Sequence, residues 1–182
     1  MSQDHQLLWQ MYPKTKTAKG LLRDAINVFQ KDFENISSFN NASQTSDSVL
    51  SKLTPDLENL GFAVETGKNK ESQINVPVLY GRNGVPLKNF DADAYSATEQ
   101  IVIEVEAGQA TINYKFLKDI FEACVMDDVK YLIIAVRQEY YYRSQGRQVC
   151  SRDFDKICDF LDTLYASNGI QMKLDGIVIV GY

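Results

Sequence analysis

Val129-Lys-Tyr-Leu-Ile-Ile-Ala-Val136 is the stretch that most limits what this chain can become. It is almost continuously apolar and rich in β-branched residues, which reads as a central strand buried on both faces. The strand signal before it is Ile101-Val-Ile-Glu-Val-Glu-Ala107, where Ile101, Ile103 and Val105 alternate with Val102, Glu104 and Glu106. Between the two, Ile112, Phe116, Ile120 and Cys124 recur at helical spacing, and Leu117 and Phe121 widen the stripe. Strand, helix, strand in that order predicts a right-handed βαβ crossover with the two strands parallel.

The remaining elements fall around this unit. Leu22, Ala25, Ile26, Phe29, Phe33 and Ile36 predict a first helix, and Ser37–Asp47 a polar loop. Val49, Leu50, Leu53, Leu57 and Leu60 predict a second helix, capped by Ser46 or Asp47 and ended by Gly61. Phe62–Glu65 reads as extended, and Thr66–Gln73 as a loop that carries Lys68 and Lys70. Val76–Tyr80, the turn Asn83-Gly84, Val85–Ser96 and Ile101–Ala107 predict a three-strand meander, because Asn-Gly suits a turn with two positive φ angles. After Val136 comes a polar stretch with Tyr140, Tyr141, Tyr142, Arg143 and Arg147. A helix through Phe154, Ile157, Leu161 and Leu164 follows, then a closing strand at Gly176–Tyr182. The sum is an α/β fold in a single domain of residues 1–182: one mixed β-sheet with helices on both faces. Residues 1–20, with Trp9, Tyr12, Lys14, Lys16 and Lys19, read as an N-terminal arm or the entry to the first helix.

Composition removes several classes of function. The net charge of −5 gives no global basic field, so nucleic-acid binding needs a local patch. Cys124, Cys150 and Cys158 are odd in number and lack CxxC spacing, which predicts reduced core thiols in a cytoplasmic protein. The single histidine, His5, excludes a histidine-based triad or zinc site. No apolar run reaches the length of a membrane span or a signal segment.

The chemistry sits in the acids. Glu104 and Glu106 are two apart on a strand, so they share a face, with Cα atoms roughly 6–7 Å apart. Upstream, Asp91 and Asp93 alternate with Phe90, Ala92 and Ala94. A turn centred near Ala97–Glu99 sets Asp93 opposite the Glu104 region and Asp91 opposite Glu106, at an approach of about 5 Å. Like charges this close repel unless a cation lies between them. Hard divalent ions favour carboxylate oxygens.

This element order, with an acid on the second meander strand and Glu-x-Glu on the third, resembles the PD-(D/E)xK nuclease superfamily. The likeness is to type II restriction endonucleases in which Glu replaces the usual Lys. It is carried by Phe90-Asp-Ala-Asp-Ala-Tyr95, Ile103-Glu-Val-Glu-Ala-Gly-Gln-Ala110, the helix from Tyr114 to Glu122, and Tyr131-Leu-Ile-Ile-Ala-Val136. The resemblance implies a restriction-endonuclease-like sheet and Mg²⁺-dependent hydrolysis of a DNA phosphodiester, with Mn²⁺ as a substitute. It implies catalytic Asp93, Glu104 and Glu106. Asp93 and Glu104 would be metal ligands, with Asp91 the alternative to Asp93, and Glu65 an additional acid. Two departures stand out: no Pro precedes either Asp, and Glu106 takes the usual Lys position, for which Lys115 or Lys118 are the nearby cations. Lys68, Lys70, Arg137, Arg143 and Arg147 are the candidates for contact with double-stranded DNA. One acid cluster per chain predicts a homodimer for cutting both strands, with Tyr140–Arg143 near the contact. The rival expectations are a catalytically silent domain of the same fold, binding nucleic acid or a protein, and a structural Ca²⁺ site.

Overall fold

The computed structural model describes residues 5–67, 69, 72–108, 110–167 and 169–182. Strand β1 (Leu8–Tyr12) is followed by helices α1 (Gly20–Lys31), α2 (Phe33–Ile36) and α3 (Ser46–Asn59). Strands β2 (Ala63–Val64), β3 (Ile74–Tyr80), β4 (Pro86–Ala92), β5 (Ala94–Ser96) and β6 (Ile101–Glu106) come next. Helix α4 (Lys115–Val125) leads to β7 (Tyr131–Val136), then β8 (Tyr140–Ser144) and β9 (Arg147–Ser151). Helix α5 (Asp153–Ser167) and β10 (Gly176–Gly181) complete the order.

The main sheet has six strands in the order β1-β10-β7-β6-β5-β2. β7 pairs parallel with β6 on one side and with β10 on the other. The outer pairs, β1 with β10, β5 with β6 and β2 with β5, are antiparallel. The apolar run therefore takes the centre, where Leu132 through Val136 are fully buried. The parallel pairing of β6 and β7 through α4 is the predicted crossover.

Alternation sorts the side chains onto two faces. Ile101, Ile103, Val105, Ile133, Ala135, Val178 and Val180 share a core with Leu22, Ile26 and Phe29 of α1 and with Leu53 and Leu57 of α3. Val102, Leu132, Ile134, Ile177 and Ile179 pack with Phe116 and Ile120 of α4 and with Ile157 and Leu161 of α5. Helices thus cover both faces. Among the described residues, no helix is long and apolar enough to cross a membrane.

Several local expectations are corrected. Residues 8–12 are an edge strand of the main sheet, not an arm, and Met11 and Tyr12 are buried. Thr45, not Ser46 or Asp47, caps α3: its side chain accepts from the Ser48 amide at 3.2 Å. The Asn83-Gly84 turn has its two positive φ angles, 60° and 72°, but β3 and β4 form a separate two-stranded sheet. The stretch 85–96 is not one strand. It bends at Asp93, and only Ala94–Ser96 pairs with β6, so the continuous meander does not form. The polar stretch after Val136 forms a hairpin: β8 and β9 close over Gln145 (φ 49°) and Gly146 (φ 78°). Cys150 is exposed, and Cys124 and Cys158 are partly buried, so the thiols are not all in the core.

Ile133, fully buried beneath α1 and α3, reports on this arrangement. Ile133→Ala should cost about 2–5 kcal/mol in urea unfolding with an unchanged denaturant slope. A loss under about 1 kcal/mol would show that β7 is not the buried centre.

Candidate active site

The parallel strands β6, β7 and β10 end on one edge of the sheet, at Glu106, Val136 and Gly181. Glu104 and Glu106 lie on the α4 face of β6, in line with buried Val102. The face begins apolar and turns acidic toward the carboxyl edge.

Asp93 reaches the same edge from β5. Ala94 stands opposite Ile103, so one further step of register sets Asp93 opposite Glu104, as the sequence spacing predicts. The chain turns away there, and the Asp93 side chain takes the place of the missing strand. Its Oδ2 accepts from the Val105 amide at 2.6 Å, while its carbonyl accepts from the Glu65 amide at 2.8 Å. Asp93 thereby closes the ladder on both sides of the bend. Asp91 does not join it. Asp91 pairs with Asn75 across the β3–β4 hairpin and is exposed, because the bend at Asp93 swings β4 out of the main sheet.

Helix α4 adds an acid that sequence reasoning missed. Asp119 is buried, 8% exposed, and its Oδ2 has no hydrogen-bond partner among the described residues. The signal was present: Phe116, Asp119, Ile120 and Ala123 occupy one buried helical stripe. An Asp at a core position of such a stripe is unusual enough to mark a site.

These acids share one field. Burial pushes the Asp93 carboxyl up to about 6; the Val105 amide opposes the rise, and Glu65, Asp119 and Asp47 add to it. Burial lifts Glu104 well above the usual carboxylate range, with Asp93 and Asp119 adding to it and Lys118 opposing. Glu106 is raised by burial, while nearby Lys115 draws it down and Asp93 lifts it. Asp119 is pushed up to about 7, by burial first and by Glu106 next. The neighbouring cations, Lys115 and Lys118, are exposed on α4, and Lys118 donates to Glu122 at 2.9 Å. Glu65 is partly buried and lines, with Asp47 and Asp93, a cavity of about 270 Å³ beside α3. Among the described residues, no group of three or more acids, cysteines or histidines is arranged to hold a metal ion.

The proposed DNA contacts separate. Lys68 and Lys70 lie outside the described residues. Arg137 is not a surface cation. It is 3% exposed, donates to the carbonyl of Ala42 at 2.7 Å and to that of Gln44, and lies against the Tyr140 ring. Its position directly after a buried strand turns it inward, where it ties the loop before α3 to the end of β7. Arg143 and Arg147 are exposed at the tip of the β8–β9 hairpin.

Comparison with protein-family models, with curated proteins and with solved structures finds no match to this chain.

The raised carboxyl groups set a pH dependence. A folded-state value above the unfolded one means the folded chain binds the extra protons. The stability that Asp93 and Asp119 contribute is therefore full below about pH 4 and is lost as pH rises through 6 and 7. Asp119→Asn should stabilise the protein at pH 7.5 by on the order of 2 kcal/mol and change little at pH 4.5, read by thermal unfolding. Arg137→Ala should cost about 2–4 kcal/mol, because two carbonyls lose a charged donor. An unchanged unfolding midpoint would return Arg137 to the surface contacts.

Proposed function

We propose that this chain is a metal-dependent DNA endonuclease of restriction or repair type, which hydrolyses phosphodiester bonds at the carboxyl edge of β6. One observation carries the reading. Asp93, Glu104, Glu106 and Asp119 gather there, burial first and neighbouring carboxylates next raise their affinity for protons, and one oxygen, Asp119 Oδ2, is buried without a partner among the described residues.

The donor set fits Mg²⁺ in kind: hard oxygens, buried, and repelling one another. Mg²⁺ needs few of them, because it keeps several waters and is commonly bound by one or two carboxylates together with substrate phosphate. Asp93 and Glu104 are the pair that would hold it, and the absence of a three-acid group among the described residues does not count against a pair. When bound, the ion would supply Lewis-acid stabilisation and a more acidic water.

The chain's own residues divide the rest of the work. Burial raises the Glu106 carboxyl from its ordinary value, in the direction that suits it to accept a proton from the attacking water. Lys118 is near enough to Glu104, and Lys115 to Glu106, to shift their proton affinities. Either lysine can offset the charge that grows on the phosphoryl oxygens, in place of the lysine that β6 lacks. The Val105 amide holds Asp93 in place by its hydrogen bond. Cutting both strands of a duplex needs two such clusters, so a double-strand break requires a second copy of the chain.

Supercoiled plasmid incubated with Mg²⁺ or Mn²⁺ should be nicked or linearised. Glu104→Gln should lower the rate at least about 100-fold, with the circular-dichroism spectrum unchanged. No cleavage with either ion would overturn hydrolysis. It would leave the second reading, a silent domain of the same fold that binds nucleic acid or a partner.

A further inference from the structure

Just past the carboxyl ends of β6 and β7 lies a cleft of about 460 Å³. Its walls are the 43–46 loop, Ala107 and Gly108, Arg137, and Tyr140 and Tyr141. It begins at the residue after Glu106, where the Ala107 amide donates to Ser46 Oγ at 3.4 Å. The cleft is widely open to solvent.

Its chemistry differs from everything around it. The residues that line it carry hydroxyl groups, an amide and two aromatic rings, none of them is an acid, and the Arg137 guanidinium behind them is buried on loop carbonyls. The cavity on the other side of the α3 N-terminal end is lined by Asp47, Glu65 and Asp93. In a chain of net charge −5, a lining without acids repels a polyanion less than the lining of Asp47, Glu65 and Asp93 does.

The Tyr140 side of the aromatic wall is held in place. Tyr140 and Tyr142 stack with ring centroids 5.5 Å apart. The Tyr140 ring packs on the backbone of Gly108, whose φ is +142°; a Cβ there would come within 2.7 Å of the ring. Arg137 lies 5.4 Å from the same ring while it ties down the 42–44 carbonyls. Tyr141 keeps 47% of its surface exposed, and its hydroxyl donates to Glu139 at 2.6 Å. An exposed ring of this kind offers a face on which a flat ligand can stack.

We propose that this cleft seats an unpaired nucleotide next to the scissile phosphate, with its base against the Tyr141 ring. The position of the phosphate rests on the nuclease reading; the preference for an unpaired base rests on the cleft itself. Every base has a π-face, but in a duplex that face is covered by its neighbours. The substrate class that follows is DNA with single-stranded tails, flaps or frayed ends rather than continuous duplex.

The test is fluorescence anisotropy with a fluorescein-labelled duplex carrying a single-stranded tail, set against a blunt duplex of the same sequence, in Ca²⁺ and again in EDTA. The tailed probe should bind about tenfold more tightly in at least one condition. Tyr141→Ala should remove most of that preference, and Tyr141→Phe, which keeps the ring, should retain it. Equal binding of the two probes, a Tyr141→Ala variant with undiminished preference, or no binding of either probe would each overturn the proposal. Cleavage of both probes in Mg²⁺ keeps the two readings apart. Cutting without any preference for tails leaves hydrolysis standing and removes the cleft. Preference for tails without cutting keeps the cleft and removes hydrolysis.

Discussion

A parallel pair of strands cannot be joined by a tight turn, and most of this molecule follows from that constraint. β6 and β7 run the same way, so the chain must cross the sheet between them, and it does so as α4. The crossover covers one face of the sheet and supplies its apolar stripe, Phe116, Ile120 and Ala123. It also carries Asp119 in that stripe, over the face on which Glu104 and Glu106 stand. The helix that makes the parallel pair possible is thus the element that completes the acid cluster.

The second organising feature is the bend at Asp93. A strand continued from Ala92 would have paired its backbone with β6 through Asp93. The bend instead commits the carboxylate to the Val105 amide. A side chain that substitutes for a ladder partner is held more rigidly than one that merely projects from a strand. The same bend releases β3 and β4 as a separate hairpin, with Leu79, Val85 and Leu87 exposed. The cluster it forms is costly to keep ionised. Burial and mutual repulsion act in the same direction on Asp93, Glu104 and Asp119, and the Val105 amide at Asp93 and the lysines near Glu104 and Asp119 offset only part of it.

Arg137 shows how a residue's role can invert between sequence and structure. It follows a buried strand and precedes tyrosines, which in a linear reading suggests a cation offered to phosphate. In the fold its guanidinium faces inward and satisfies two loop carbonyls. The positive charge serves to hold the 42–45 loop against the sheet, and with it one wall of the cleft.

The sequence alone determined the βαβ unit, the burial of β7, the two helical faces and the shared face of Glu104 and Glu106. All of these follow from periodicity, which is local: 3.6 residues for a helix, two for a strand, and a continuous apolar run for a strand covered on both sides. It also placed Asp93 against Glu104, because a turn of known length fixes the register of a hairpin. Only the tertiary structure decided the rest. Whether 85–96 stays one strand depends on which partner each half meets, and the Val105 and Glu65 amides settle that from elsewhere in the chain. Whether residues 8–12 form an arm or an edge strand depends on β10, which pairs with them from the far end of the sequence. Asp119 becomes part of the site only when α4 folds back over β6, and Arg137 becomes a clamp only when the 42–45 loop arrives beside β7. Each is a contact between distant segments, and no local pattern encodes it.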